Sequence, residues 1–238
     1  MRRLPLCLLT ALLASACASP HLAIGEGDRQ RVIGELEGRR RFTRVALYDG
    51  DFFGDRNGCL LSDQPFAELD LIEHPDGSVI PPPEAGAVIP PGTPVRVEKV
   101  EFPTGWTIAQ RMVMTPRYQP WIHLSVKGEP RRCVLVLPQD LRSREDALAE
   151  VARVLTTDDP SPRLAALPTA WRDAVLKKEL LEGMSPAAVE LSWGVPDKRH
   201  IDRPAHAEDW SWAGGRRRAS FADDRLVKFE KVETPPKS

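Results

Sequence analysis

The order of apolar and polar positions divides the chain into a strand-rich first part and a second part that begins with helices. Between residues 31 and 142, short alternating runs such as 41–48 and 95–102 are separated by turns containing Gly, Pro or Asn. Alternation with a period of two is typical of half-buried β-strands, and many short strands with regular turns indicate a small sandwich or barrel. We therefore expect residues 31–142 to form an all-β domain.

The next segment is expected to connect two domains. A helix should begin at Ser143, because Asp146 follows three residues later as in a capping box and an apolar stripe comes after it. Residues 156–163, TTDDPSPR, are polar and contain two prolines, which is typical of a linker. We assign residues 143–168 to this helix and linker.

Two helices with marked ends open the last third of the chain. The apolar stripe predicts a helix over residues 169–182, which Gly183 would end in a left-handed conformation. Ser185 is a suitable N-cap, Pro186 fits the first position of the next helix, and Gly194 ends that helix.

After Pro196 the period returns to two. The runs DWSW, RRRASF and LVKFEKV are separated by Gly-Gly and Asp-Asp turns, which predicts a three-stranded antiparallel meander. Residues 169–234 are thus expected to form an α+β domain of two helices packed on three strands. Trp193, Trp210 and Phe221 are expected in its core.

The last third also carries an ordered motif. Its positions are Gly183, Met184, Ser185, Val189, Gly194, Pro196, Trp210, Trp212, Phe221, Asp223, Asp224, Leu226 and Val227. In this spacing, residues 172–233 resemble the SmpA/OmlA (BamE) family of small outer-membrane lipoproteins, whose fold is shared with β-lactamase inhibitor proteins. The resemblance implies that fold and a role in outer-membrane assembly. Trp212 stands where the family usually has Tyr, and the segment lies much farther from the N-terminus than in family members.

A second resemblance lies in the strand-rich part. The pair Gly92-Thr93 opens a Val-rich strand at Val95 and Val97, and Trp106 follows. This arrangement is similar to bacterial SH3-like modules. The resemblance implies an SH3-like or small-barrel domain and, as an alternative function, binding of peptidoglycan.

The N-terminus has the pattern of an export signal. MRR is followed by an apolar run over residues 4–14 and then by small residues. This is typical of a secretory signal peptide, here residues 1–16, and the run is too short to span a bilayer.

The sequence LASAC, which ends at Cys17, resembles a bacterial lipobox. The resemblance implies that Cys17 carries the lipid and that residues 17–30 form a tether. Ala18 and Ser19 follow instead of Asp, which implies a periplasm-facing position at the outer membrane. The alternative is an ordinary signal peptide cut near Ala16 or after Ala18.

Two cysteines remain in the exported chain, Cys59 and Cys133. An even pair in an oxidising compartment favours a disulfide, and two buried thiols are the alternative. Neither has a CxxC partner or a nearby histidine, so we expect no zinc site, and nothing in the sequence indicates a cofactor.

Charge and motifs restrict the function further. Removing Arg2 and Arg3 with the signal leaves 31 of the 33 basic residues against 34 acidic residues, a net charge of −3. Nucleic-acid binders normally carry a basic field, so we exclude that class.

No metalloprotease, hydrolase or nucleotide-binding motif occurs, which predicts a non-catalytic protein. A nucleophile formed by Cys133 and His123 is the enzymatic alternative.

Arg216, Arg217 and Arg218 are the candidate contact residues. They border a predicted strand, where they would either form a solvated edge or bind lipid head groups or an acidic partner. Taken together, the sequence predicts an envelope lipoprotein that binds a protein partner, with peptidoglycan binding and a hidden hydrolase as alternatives.

Overall fold

The computed structural model describes residues 22–74 and 78–231. The predicted signal peptide, residues 1–16, and the lipidation site Cys17 lie outside this part. The helices are α1 (Glu26–Leu36), α2 (Gly105–Gln110), α3 (Arg144–Val154), α4 (Ser161–Ala165), α5 (Thr169–Leu176) and α6 (Pro186–Trp193). The strands are β1 (Arg40–Thr43), β2 (Leu47–Phe52), β3 (Asp55–Ser62), β4 (Ala87–Ile89), β5 (Pro94–Glu101), β6 (Trp121–Val126), β7 (Glu129–Val136), β8 (Leu155–Thr156), β9 (Lys198–Asp202), β10 (Ala207–Trp212), β11 (Arg217–Ala222) and β12 (Arg225–Lys231).

Eight strands form a large curled sheet in the order β4-β2-β3-β7-β6-β5-β1-β8. The pair β3–β7 is parallel, and the other neighbouring pairs are antiparallel. Helices α1 and α3 contact each other, and α1 packs on β5. The sheet is therefore mixed and carries helices against it.

Around β3 both faces of the large sheet are buried, whereas β5 alternates between buried and exposed residues. On one face Cys59, Leu61 and the α3 residue Val151 belong to the main apolar cluster. On the other face Leu60 packs with Phe66 in a second cluster. Consecutive residues of β3 thus enter different cores, as expected for a strand with an apolar run rather than an alternating one.

The last four strands form a small antiparallel sheet in the order β12-β11-β10-β9. Helices α5 and α6 contact each other and cover one of its faces. Trp193 from α6 lies in the same apolar cluster as Trp210 and Phe221, which confirms the predicted core of this region.

The predicted fold class is wrong. The first part is not an all-β SH3-like domain or small barrel, because its eight-stranded mixed sheet carries helices α1 and α3 and includes β8 beyond residue 142. The last part is not a BamE-like arrangement of two helices and three strands, because its sheet has four strands. The additional strand, Lys198–Asp202, is exposed along its whole length, so no alternation of apolar residues marks it.

The residues that cap or end the helices were predicted more reliably than the lengths of the helices. Ser143 and Ser185 cap α3 and α6 as predicted, and Gly194 ends α6 at a φ of 92°. The helix predicted for residues 169–182 ends at Leu176 instead. It ends early because Lys178 takes a φ of 56° and directs its side chain into the interior.

The segment predicted as a tether, residues 17–30, is partly structured. Ile24 is buried, and helix α1 begins at Glu26. Arg29 also donates a hydrogen bond from Nε to the Ile24 carbonyl oxygen at 2.9 Å. The chain is thus tied to the large sheet within a few residues of Leu22.

A buried lysine joins the small sheet and its helices to the large sheet. The Lys178 Nζ donates to the carbonyl oxygens of Ala46 and Ser192, at 2.6 and 2.7 Å, and lies 4.9 Å from the centre of the Tyr48 ring. Burial lowers the pKa of Lys178 to about 7. At the same junction the Ala46 N–H donates to the Leu191 carbonyl oxygen at 2.8 Å. The two sheets are therefore held by backbone contacts as well as side chains.

Candidate functional site

Cys59 and Cys133 form the predicted disulfide. They occupy paired positions on the parallel strands β3 and β7, with Cα atoms 4.3 Å apart, and both are buried. A bridged Cys133 has no thiol, so it offers no nucleophile to His123. Burial lowers the pKa of His123, and none of the described residues forms a hydrogen bond with its Nε2 atom.

The most concentrated group of charges surrounds Arg131 near the disulfide. Its guanidinium donates to Asp49 at 2.7 Å, to Asp51 at 3.1 Å and to Glu129 at 2.8 Å. Burial raises the pKa of Asp49 to about 6, whereas the hydrogen bond from Arg131 lowers the pKa of Glu129 to about 2. Because one cation is already shared by three carboxylates, this group is a structural ion cluster.

The three candidate arginines do not form one surface. Arg217 is 1% exposed, and its Nε lies 3.1 Å from a carboxylate oxygen of Glu68 on the large sheet side of the junction. Arg216 is half-buried and donates from Nε to the Ala213 carbonyl oxygen at 3.0 Å. Arg218 alone is exposed. Arg217 therefore belongs to the junction, and Arg218 is the residue of the three that can meet a partner.

Arg218 lies on the face of the small sheet that α5 and α6 do not cover. Strand register places two rows of side chains there, and alternation along each strand makes them polar. One row is Lys198, Ser211, Arg218 and Glu230; the other is His200, Asp209, Ser220 and Lys228. We call these eight residues the open face.

The open face forms a groove of about 1020 Å³. All of its lining residues come from the four strands or from the segments that adjoin them, so no other element among residues 22–74 and 78–231 covers it. Both rows contain positive and negative groups, as where Arg218 faces Glu230. Within the face, Ser220 donates a hydrogen bond of 2.6 Å to Asp209.

This arrangement can recognise a partner. The open face supplies ammonium, guanidinium, imidazole, hydroxyl and carboxylate groups on rigid strands. Within residues 22–74 and 78–231, no group of three or more His, Cys, Asp or Glu side chains could hold a metal ion. The surface is thus suited to multiple hydrogen bonds and ion pairs with a protein of mixed charge.

Sequence reasoning missed most of the open face, although a signal was present. In DWSW the tryptophans alternate with Asp209 and Ser211, so burying the tryptophans leaves the other two on the opposite face. The same rule applied to RASF selects Arg218 and Ser220. Strand β9 had no such signal, because none of its residues is buried.

No protein-family model, curated protein or solved structure matches this chain. In the part of the chain that the structure describes, none of the helices is long and apolar enough to cross a membrane.

Proposed function

We propose that this protein is a non-catalytic, lipid-anchored protein of the cell envelope that binds a protein partner through the open face. The observation that carries the proposal is the uncovered groove of about 1020 Å³ across all four strands of the small sheet. The sheet backbone that presents these eight polar side chains is preorganised, so little backbone conformational entropy is lost when a partner docks.

The proposed lipid anchor and the proposed outer-membrane location rest on the N-terminal sequence. The lipobox-like LASAC places a lipid on Cys17, and Ala18 and Ser19 direct the chain to the outer membrane, with its folded part facing the periplasm. The Cys59–Cys133 disulfide agrees with an exported chain, because such bonds persist in oxidising compartments. A role of the partner in outer-membrane assembly or maintenance is the part that depends on the family resemblance.

The peptidoglycan-binding alternative has lost its structural basis, since it depended on an SH3-like domain, and residues 22–74 and 78–231 do not form one. We therefore retain one function. The open face has Arg218 beside Glu230, and Asp209 and Lys228 on either side of Ser220, which favours a folded protein over a uniformly charged polymer.

Photo-crosslinking in cells tests the docking surface. We would place p-benzoylphenylalanine at Ser211 or Ser220 on the open face, and at Arg56 in the β2–β3 hairpin as an exposed control. We expect a discrete adduct from the two open-face positions and none from position 56. Arg218→Glu should reduce the adduct, whereas Arg56→Glu should not. Equal labelling at all three positions would refute the open face as the docking site.

The anchor needs a separate test. Growth with an alkyne-labelled fatty acid should label the wild-type chain, and Cys17→Ser should remove both the label and the protein from the outer-membrane fraction. If the wild-type chain is not labelled, the lipid anchor is contradicted. The crosslinking result does not depend on the anchor and would still stand.

A further inference from the structure

A crevice of about 360 Å³ lies where the large sheet meets the small one. It is lined by the ends of β3 and β7, by the segment that follows β3, by helix α3 and by the turn between β10 and β11. Ligands often bind between two packed units, and this volume is at the lower end of the range for ligand pockets. The crevice therefore has room for a small ligand or for one side chain of a larger one.

Asp63 is a buried carboxylate of this crevice that lacks a bonded partner. The residue is 8% exposed, and none of the described residues forms a hydrogen bond or an ion pair with its side chain. Lys178 lies within electrostatic range of Asp63, but its ammonium group donates to the carbonyl oxygens of Ala46 and Ser192 instead. Burying a carboxylate without hydrogen bonds is costly, so Asp63 is a group that a bound cation would stabilise.

The fold makes room for this carboxylate at the end of α6. A Cβ atom at Gly194 would lie 2.9 Å from the Asp63 Oδ2 atom, so a larger residue there would displace the carboxylate. The last carbonyl groups of a helix carry partial negative charge. Asp63 adds a full negative charge beside them, which again favours a cation at this place.

The charges around the crevice are mainly negative. Its lining has four carboxylates and two guanidinium groups, a net charge of 2 − 4 = −2, from Asp63, Glu68, Asp70, Glu150, Arg153 and Arg216. Glu68 is paired with Arg217. Arg153 is paired mainly with Asp197, at 2.8 Å from Nη2 to Oδ1, because its Nε lies 3.8 Å from Glu150. Burial raises the pKa of Glu150, and the charge of Asp63 acts in the same direction. A cation near both carboxylates would relieve their repulsion.

The crevice adjoins the open face at one turn. Gly214 lines both the crevice and the groove over the open face. Its N–H donates to Asp197 Oδ2 at 3.3 Å, while Asp197 Oδ1 accepts from Arg153 at 2.8 Å. Hydrogen bonds thus hold the turn in place between the two. A cation in the crevice has two sources: a free amine, or a basic side chain of a partner bound to the open face.

We propose that this crevice binds a primary ammonium or guanidinium group, with Asp63 as its main contact and Glu150 as its second. Both groups carry several N–H donors, which would form charge-assisted hydrogen bonds with the two carboxylates. Leucine and valine side chains also line the crevice and would contact the carbon chain that carries the cation. Binding itself does not depend on the proposed function. Supply of the cation by a partner rests on that function.

Titration of the full chain with small amines tests the site. We would produce the chain with isotope-labelled glycine by cell-free translation under oxidising conditions and follow its glycine amides by NMR. We expect n-butylammonium and n-butylguanidinium to shift the Gly194 and Gly214 signals to saturation. Gly54, exposed in the β2–β3 hairpin, should not shift. The uncharged analogue n-butanol should shift none of the three signals.

Matched variants test the two carboxylates. Asp63→Asn should weaken binding of n-butylammonium at least about tenfold, because the amide keeps the shape and removes the charge. Asp158→Asn, at an exposed position between β8 and α4, is the control and should leave the affinity unchanged. Glu150→Gln should weaken binding about threefold, since this carboxylate is less buried and has Arg153 nearby. Near-ultraviolet circular dichroism checks that each variant is folded.

Crosslinking in cells distinguishes the two sources of the cation once binding is established. With p-benzoylphenylalanine at position 211, Asp63→Asn should reduce the adduct if a partner supplies a basic side chain. The same variant should leave the adduct unchanged if the ligand is a free amine.

Three results would overturn the proposal. The first is an equal response to n-butanol and n-butylammonium, and the second is equal affinity of the Asp63→Asn and Asp158→Asn chains. The third applies if Asp63→Asn does not fold, and it is an unchanged affinity in Glu150→Gln. None of these titrations requires the lipid anchor or a protein partner, so this proposal and the proposed function fail separately.

Discussion

The part of the large sheet around β3 differs from the small sheet in how many of its faces are covered. In the large sheet, Cys59 and Leu60 follow each other along β3 and enter apolar clusters on opposite faces. In the small sheet, Trp210 is buried while its neighbours Asp209 and Ser211 face solvent. A strand covered on both sides serves mainly as a scaffold, whereas a sheet face left uncovered keeps a rigid surface available for binding. Because the open face extends across all four strands of the small sheet, we place the docking site there.

The largest expected effect lies on the covered face of the small sheet. Trp212 is almost fully buried, contacts Trp193 and donates from Nε1 to the Gly194 carbonyl oxygen at 3.1 Å. Trp212→Ala should lower the free energy of unfolding by about 3–5 kcal/mol, measured by urea denaturation. Ser211→Ala, one residue away on the open face, should change it by less than about 0.5 kcal/mol. Similar losses for both would remove the distinction between the two faces.

The second-largest expected loss of stability comes from removing the disulfide in the large sheet. Replacing both Cys59 and Cys133 by Ala removes a bridge between residues 74 positions apart, which should lower the free energy of unfolding by about 2–4 kcal/mol. Reductant should destabilise the wild type and leave the double variant unchanged in urea melts. If reductant has no effect on the wild type, the bridge does not form in solution.

A third prediction concerns the junction of the two sheets and depends on pH. The pKa of Lys178 is lowered to about 7 in the folded chain, while the unfolded chain keeps the ordinary value of 10.5. Between these values the unfolded chain holds a proton that the folded chain lacks, so stability rises with pH by at most about 1.4 kcal/mol per unit. Below about pH 7 both states are protonated and this slope disappears.

Lys178→Met should remove this contribution. We expect wild type to gain about 2 kcal/mol relative to the variant between pH 7 and pH 9, measured by urea melts at each pH. The comparison with the variant cancels the titration of other groups. Parallel pH profiles would show that Lys178 keeps its proton when buried, held by the carbonyl oxygens of Ala46 and Ser192.

The smallest expected change in stability comes from a substitution on the open face. Ser220→Ala removes a hydroxyl that donates to Asp209, in a position where water can replace it. The free energy of unfolding should change by less than about 0.5 kcal/mol, while crosslinking to a partner from position 211 should decrease. A large loss of stability would indicate that this face is structural.

The sequence allowed correct prediction of features that neighbouring residues decide. The caps at Ser143 and Ser185 and the end at Gly194 depend on contacts within about four residues, so they could be read from the order of residues. The pairing of Cys59 with Cys133 could also be predicted, since only two cysteines follow the predicted lipidation site.

Other features could not be predicted, because they depend on contacts between parts of the chain that are far apart in sequence. The parallel pair β3–β7 joins strands far apart in sequence, and β9 forms by backbone hydrogen bonds to β10 without any buried side chain. Arg217 looked like a surface arginine beside Arg216 and Arg218, but the strand places it on the covered face, next to Glu68. The exposure of Met112, Val113 and Met114 was not predicted, because apolar residues are normally buried.

By itself, the sequence determined which residues cap the helices, which two cysteines can pair, and which side chains along β10 and β11 face together. The tertiary structure decided the order of the strands, the burial of Lys178 and Arg217, and which apolar residues stay in water. The reason is physical: capping and alternation are set by bonds between near neighbours. Strand pairing and burial instead depend on which distant surfaces compete to leave water, and that competition is resolved only when the whole chain folds.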